Sequence, residues 1–162
     1  MSKSHWWQGK RGEWYVIIQF LLLGLLVFGP TTVSGIPLWP PPWSTIGVVI
    51  GIVLGIAGAL LVIAGLLSLG NNLTAVPRPK ETAQMVNNRA YSIVRHPIYS
   101  GIIIGSFGLA GLRGSWLTLL YAVIIFVFFD IKSRREEAWL AERYAGYAAY
   151  KQRVHKLIPY IY

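Results

Sequence analysis

The sequence predicts an all-α integral membrane helical bundle of about four transmembrane helices plus a cytoplasmic C-terminal helix, with both termini cytoplasmic. Three observations carry that expectation. Hydrophobic residues make up 54% of the 162 residues and charged residues only 13%, with a mean hydropathy of +0.50, which is membrane-protein composition. Four apolar stretches, Trp14 to Phe28, Ile46 to Leu69, Ile98 to Leu112 and Ser115 to Ile131, approach the roughly 20 residues that a span requires. Of the 15 Lys and Arg residues, only Arg113 falls in a turn assigned to the outer side, so the positive-inside rule orients the rest.

Taken in order, Trp6 and Trp7 followed by Lys10 and Arg11 suit headgroup depth before the first span. That span is followed by no small-residue cleavage site and is expected to be retained. The segment Ile36 to Trp43 carries no charge and four prolines, so it reads as a stiff outer brace with its Trp residues at the interface. The second span places Gly47, Gly51 and Gly55 one turn apart, with Gly58 and Gly65 beyond, and the third does the same with Gly101, Gly105, Gly108 and Gly111. Such faces let helices approach closely. Packing within the chain is the favoured use, and assembly into a homo-oligomer uses the same motif. Only Arg113 and Gly114 separate the third and fourth spans, which predicts a tight antiparallel hairpin. The loop between the second and third spans cannot be helical through Pro77 and Pro79. The tail from Ser133 to Val154 reads as a helix, and Ile158 to Tyr162 is expected to pack back onto the domain. The whole, residues 1–162, is one domain, with two spans in 14–69 and a loop, hairpin and tail helix in 70–162.

Absences narrow the chemistry. The chain has no cysteine, so disulfides, thiolate metal sites and cysteine nucleophiles are excluded. The three His are far apart, no His-x-x-x-His pair exists, and no metal site is expected. There is no P-loop or dinucleotide fingerprint. The net charge of +9 is spread as orienting and lipid-facing residues, so nucleic acid is not an expected partner whereas anionic membrane lipids are.

Hairpin connectivity returns two polar clusters to one face of the bilayer: Tyr91 to Gly101, and Lys132 to Glu137. Pro97 suits the first turn of a helix whose free N–H groups can meet a carboxylate. Tyr91 and Tyr99 supply aromatic walls. Lys132 and Glu136 share a helix face, while Glu136 and Glu137 point about 100° apart, so at most one faces a pocket squarely. On spacing alone, the two acids suit the start of a solvated helix, near its dipole. Asp130 lies inside the apolar run and needs a partner, for which Arg134 at i+4 is the candidate.

The runs Asn72-Leu73-Thr74, Pro77-Arg78-Pro79, Met85-Val86, Tyr91 and Val94-Arg95-His96-Pro97-Ile98-Tyr99 resemble the isoprenylcysteine carboxyl methyltransferase family, which includes phospholipid N-methyltransferases. So do Glu136-Glu137, Leu140, Tyr144, Gly146, Tyr147, Tyr150 and Ile158-Pro159. The resemblance covers about the C-terminal ninety residues. It implies methyl transfer from S-adenosyl-L-methionine at the cytoplasmic membrane face to a lipophilic small-molecule or lipid acceptor, by a multi-pass protein of a cell inner membrane. Carried over by position, His96, Pro97, Ile98 and Tyr99 contact the cofactor with Tyr91 beside them, Gln84, Met85 and Val86 contribute backbone contacts, and Glu136 binds its polar end. Lys132 stands where carboxyl methyltransferases place a substrate-binding arginine, and lacks that residue's bidentate fork. Arg89 stands where the family usually has Gly. Amines of lipid headgroups or small lipophilic acids are the expected acceptors, with Asp130 or Glu137 taking the proton of an amine. Two other readings stay open. Sterol reductases, which use a nicotinamide cofactor, look similar at His96-Pro97 and Tyr99 and at the closing Ile158 to Tyr162. A scaffold assembling through the glycine faces would account for the second and third spans.

Overall fold

The computed structural model describes residues 12–73 and 85–162. Helices α1 (Glu13–Phe28), α2 (Trp43–Leu69), α4 (Pro97–Arg113) and α5 (Trp116–Arg143) form the bundle, and α3 (Ala90–Ile93) and α6 (Tyr147–Arg153) are short pieces at its charged end. No strand occurs among the described residues, only two isolated bridges. Each of the four apolar stretches is therefore a helix. α2 and α5 are long and apolar enough to cross a membrane, whereas α1 has 16 residues and α4 has 17.

α2 and α4 pack along their glycines. A Cβ on Gly58 would lie 2.6 Å from the carbonyl oxygen of Gly101, and one on Gly101 would lie 2.5 Å from that of Gly58. Farther along, Gly51 faces Gly108 and Gly47 faces Gly111 in the same way. Backbone occupies the space, so only glycine permits this approach. Gly47, Gly51 and Gly58 are thus used against Gly111, Gly108 and Gly101 within the chain, whereas a Cβ on Gly55 or Gly105 would meet nothing. The rest of α2 turns outward: its buried residues are all glycines, while Val49, Leu60 and Leu67 are exposed. Aliphatic surface on that scale suits lipid.

On the other side, α1 and α4 flank α5 around a core of Leu26, Ile103, Tyr121, Ile125, Phe128 and Phe129, closed by Leu157 of the tail. Arg113 contributes here. Its guanidinium donates to the carbonyls of Leu26 and Val27 at 2.8 and 2.7 Å, satisfying the end of α1, which has no basic residue in its last turn. Gly114 takes φ 54 at the turn, and Ser115 caps α5 by accepting the N–H of Thr118. In the proline-rich segment 36–43, Trp39 turns inward against Gly47 and Trp116, while Trp43 is exposed.

Two sequence expectations need correction. The fourth span and the first half of the tail are one helix, because no Gly or Pro interrupts Ile131 to Arg143 and the first glycine is Gly146. The tail helix therefore breaks at residues 144–146 and resumes as α6. For the same reason Glu136 and Glu137 lie deep in α5, far from any helix start, and do not serve a dipole. The closing segment does pack back onto the domain, where Tyr162 OH donates to Asp130 Oδ1 at 2.9 Å and its ring lies 6.4 Å from that of Phe126.

Candidate functional site

The turn that leads into α4 is set by an unusual backbone. Arg89 adopts φ 52, ψ −124, and the Tyr91 N–H closes the turn on the Asn88 carbonyl at 3.0 Å. That is the first central position of a II′ turn, where glycine is the unstrained residue. The chain then runs through α3 into Val94-Arg95-His96, which lies alongside the tail: Arg95 N–H donates to His155 O at 2.8 Å and His96 N–H to Lys156 O at 3.2 Å. Pro97 follows as the first residue of α4, as its missing N–H allows.

Side chains fix this arrangement. Arg95 Nε donates to Glu137 Oε1 at 2.7 Å, and its Nη1 donates to the carbonyls of Lys151, at 3.1 Å, and of Val154. His96 Nε2 lies 3.3 Å from the same Glu137 oxygen, and Lys151 Nζ lies 3.3 Å from the other. Arg95, His96 and Glu137 are all buried. One carboxylate thus ties the start of α4 to α5 and α6, in a setting where its charge requires such partners.

Glu136 has a different task. It lines a cavity of about 240 Å³, as do Tyr91, His96, Ile98, Tyr99 and Lys132. Tyr99 OH donates to Glu136 Oε2 at 2.8 Å, and His96 Nδ1 is 3.8 Å from that oxygen. The His96 and Tyr99 rings stack 5.3 Å apart at 4°. Tyr91 is held by its backbone, whose carbonyl accepts from Tyr150 OH at 2.6 Å. Burial first, and then the Glu136 carboxylate, push the Tyr91 phenol well above its ordinary range. Burial and the nearby Glu137 do the same for Tyr147. Both phenols are therefore neutral donors at physiological pH. Tyr147 also lines the cavity, and its buried hydroxyl has no hydrogen-bond partner among the described residues.

At the apolar end, Lys132 is only 1% exposed. Its Nζ donates to Gln19 Oε1 of α1 at 2.6 Å and sits 4.9 Å from the centre of the Tyr99 ring. Its hydrogen-bond partner is a neutral amide, while the Glu136 carboxylate one turn along α5 lines the same cavity.

Most residues named from sequence converge. Met85, Val86, Tyr91, His96, Ile98, Tyr99, Lys132 and Glu136 line the cavity, and Pro97 is buried at the head of α4. Gln84 lies outside the described residues. Asp130 does not line the cavity. Its carboxylate takes Arg134 Nε at 2.8 Å, as the i+4 spacing predicts, but also Lys156 Nζ and, at 2.9 Å, Tyr162 OH. Those contacts tie the tail to α5 through Asp130. Glu137 is likewise committed to Arg95 and His96. Sequence reasoning gave no role to Gln19, Tyr144 or Tyr147, all in the cavity wall. A signal existed for Gln19: it is a lone amide in an apolar span, where polar groups tend to be functional.

Residues 46–146, more than half of the chain, match the sequence model of the family described as phospholipid methyltransferase. The chain is 34% identical over 79 residues to protein-S-isoprenylcysteine O-methyltransferase of Schizosaccharomyces pombe, covering 48% of this chain and 34% of that protein. It is 29% identical over 115 residues to protein-S-isoprenylcysteine O-methyltransferase B of Arabidopsis thaliana, covering 68% and 58%. It is 26% identical over 149 residues to cobalt-zinc-cadmium resistance protein CzcN of Cupriavidus metallidurans, covering 91% and 62%. In each case the chain spans less than two thirds of the relative's own length.

Proposed function

The chain belongs to the phospholipid methyltransferase family, and from that premise we propose that it transfers a methyl group from S-adenosyl-L-methionine to a lipophilic or amphipathic acceptor at the cytoplasmic membrane face. The observation that carries this reading is the cavity itself. Within the family-matched stretch, Glu136, the stacked His96 and Tyr99 rings and the buried Lys132 line one cavity.

The residues present fit the cofactor. Glu136 is the carboxylate available to an amino-acid ammonium, Met85 and Val86 give an apolar wall, and the orphaned Tyr147 hydroxyl calls for a polar ligand atom. When bound, S-adenosyl-L-methionine supplies an activated methyl group on a sulfonium, so the protein need provide neither a nucleophile nor a metal. What the protein does is position and dehydrate. Tyr99 holds Glu136 in place, Glu137 holds the His96 ring, and Lys132 presents a cation to an anionic or hydroxyl oxygen of the acceptor. The apolar surroundings exclude water and strengthen each of these contacts. Isoprenylated cysteine named for two relatives, lipid headgroup amines and small lipophilic acids are all acceptors with an apolar tail and a polar reacting end. Four spans with both termini cytoplasmic complete the proposal, since they put the cavity at the basic end of the bundle.

Calorimetry of the purified protein with S-adenosylhomocysteine and with NADPH tests the class. Saturable binding of the first alone is expected. Binding of NADPH alone would falsify the methyltransferase reading in favour of a reductase.

A further inference from the structure

Beside the Arg95–Glu137 pair lies a second cavity of about 410 Å³. Arg95 belongs to the walls of both cavities. The charged side chains lining the second are Arg95, Arg134, Lys151, Arg153, Lys156 and the single carboxylate of Glu137. Asp130 stands behind them, already shared by Arg134 and Lys156. Glu137 is shared in turn by Arg95, His96 and Lys151. Among side chains, five cations therefore meet two carboxylates. Arg153 has neither of them, and its Nε donates to the Ala149 carbonyl at 3.3 Å. A concave wall with that excess of positive charge concentrates anions.

Position narrows the class of anion. From α5 the cavity is lined by Arg134 and Glu137, just past Ile131, where the apolar run has given way to charged residues. That is headgroup depth for a helix that crosses a bilayer. At the rim sits Ile161, 76% exposed, an aliphatic side chain suited to an acyl chain. Arginines and lysines together favour an anion with several oxygens, so a phosphate is better matched than a lone carboxylate.

We propose that this second cavity binds the phosphate of an anionic amphiphile, the head among Lys151, Arg153 and Arg134 and the chain along Ile161. The site is separate from methyl transfer and stands or falls without it. Because Arg95 is common to both walls, an occupant would also brace the segment that carries His96 into the first cavity.

The full chain in neutral detergent micelles is titrated with dioleoylphosphatidylglycerol, with dioleoylphosphatidylcholine and with inorganic phosphate, following tryptophan fluorescence and thermal stability. Phosphatidylglycerol is expected to bind saturably and roughly tenfold more tightly than phosphatidylcholine, and Lys151→Gln with Arg153→Gln to remove most of that preference. Since Lys151 also pairs with Glu137, Arg153→Gln alone serves as the variant free of that complication, and should lose part of the preference at unchanged melting temperature. Inorganic phosphate competing at similar concentration would support the same site with a free anion as its source. Arg135→Gln removes an equal charge outside the cavity. An equal loss in that variant, or equal binding of the two lipids, would overturn the proposal in favour of diffuse surface charge.

Discussion

Between α2 and α4 two backbones meet through glycines, with carbonyl oxygens as the nearest neighbours and no charge on either face. Between the start of α4, α5 and α6 the joints are instead buried ion pairs centred on Glu137, reaching carbonyls across the tail. The first joint depends on volume and tolerates no added atoms. The second depends on charge and tolerates no missing partner. A seam of glycines can hold two helices together but presents nothing to a ligand. The charged joint both fastens the chain and aims His96 and Tyr99 at Glu136. Stability and binding should therefore separate at the seam and travel together at the charged joint.

The largest expected effect is at Arg95. Arg95→Met leaves Glu137 buried with only part of its compensation, which should cost about 3–5 kcal/mol of stability, and should abolish S-adenosylhomocysteine binding at the same time. Chemical unfolding in detergent together with calorimetry checks both. A stable variant that still binds would show that the tail, rather than the ion pair, fastens the site.

Next comes the seam. Gly58→Ala places a methyl 2.6 Å from the Gly101 carbonyl oxygen, and the resulting separation of α2 from α4 should cost about 1–3 kcal/mol. The fraction that remains folded should bind S-adenosylhomocysteine with unchanged affinity. Altered affinity there would erase the division between the two joints.

Neighbouring acids sharpen the contrast further. Glu136→Gln should weaken S-adenosylhomocysteine binding by about 2 kcal/mol while moving the melting temperature little, because Glu136 faces the cavity. Glu137→Gln should do the reverse, lowering stability more than its neighbour does. Equal effects of the two on both readouts would contradict their separate assignments.

The smallest effect is at Arg89. Its positive φ carries strain that Arg89→Gly would relieve, and a gain of up to about 1 kcal/mol is expected, reduced by glycine's greater freedom in the unfolded chain. Thermal unfolding of the single variant is sufficient.

Much of this was legible in the residues alone. Apolar run lengths give the four long helices, the glycine spacing gives the α2–α4 seam, and Pro97 gives the start of α4, because each depends on local chemistry repeated along one segment. The motif around His96 and the acids at Glu136 and Glu137 marks where the cavity lies. What sequence could not apportion was the division of labour between those two acids. Spacing says that they point apart. Only the packing of α6 and the tail, which puts Arg95 and Lys151 beside Glu137 and leaves Glu136 to Tyr99, decides which is anchor and which faces the ligand. Asp130 gained its tail partners for the same reason, since Lys156 and Tyr162 reach it from more than twenty residues away. Gln19 became part of the site through a contact between α1 and α5 that spans most of the chain. A charged side chain's role is set by the partners it meets, and those partners come from distant segments that only the folded bundle brings together.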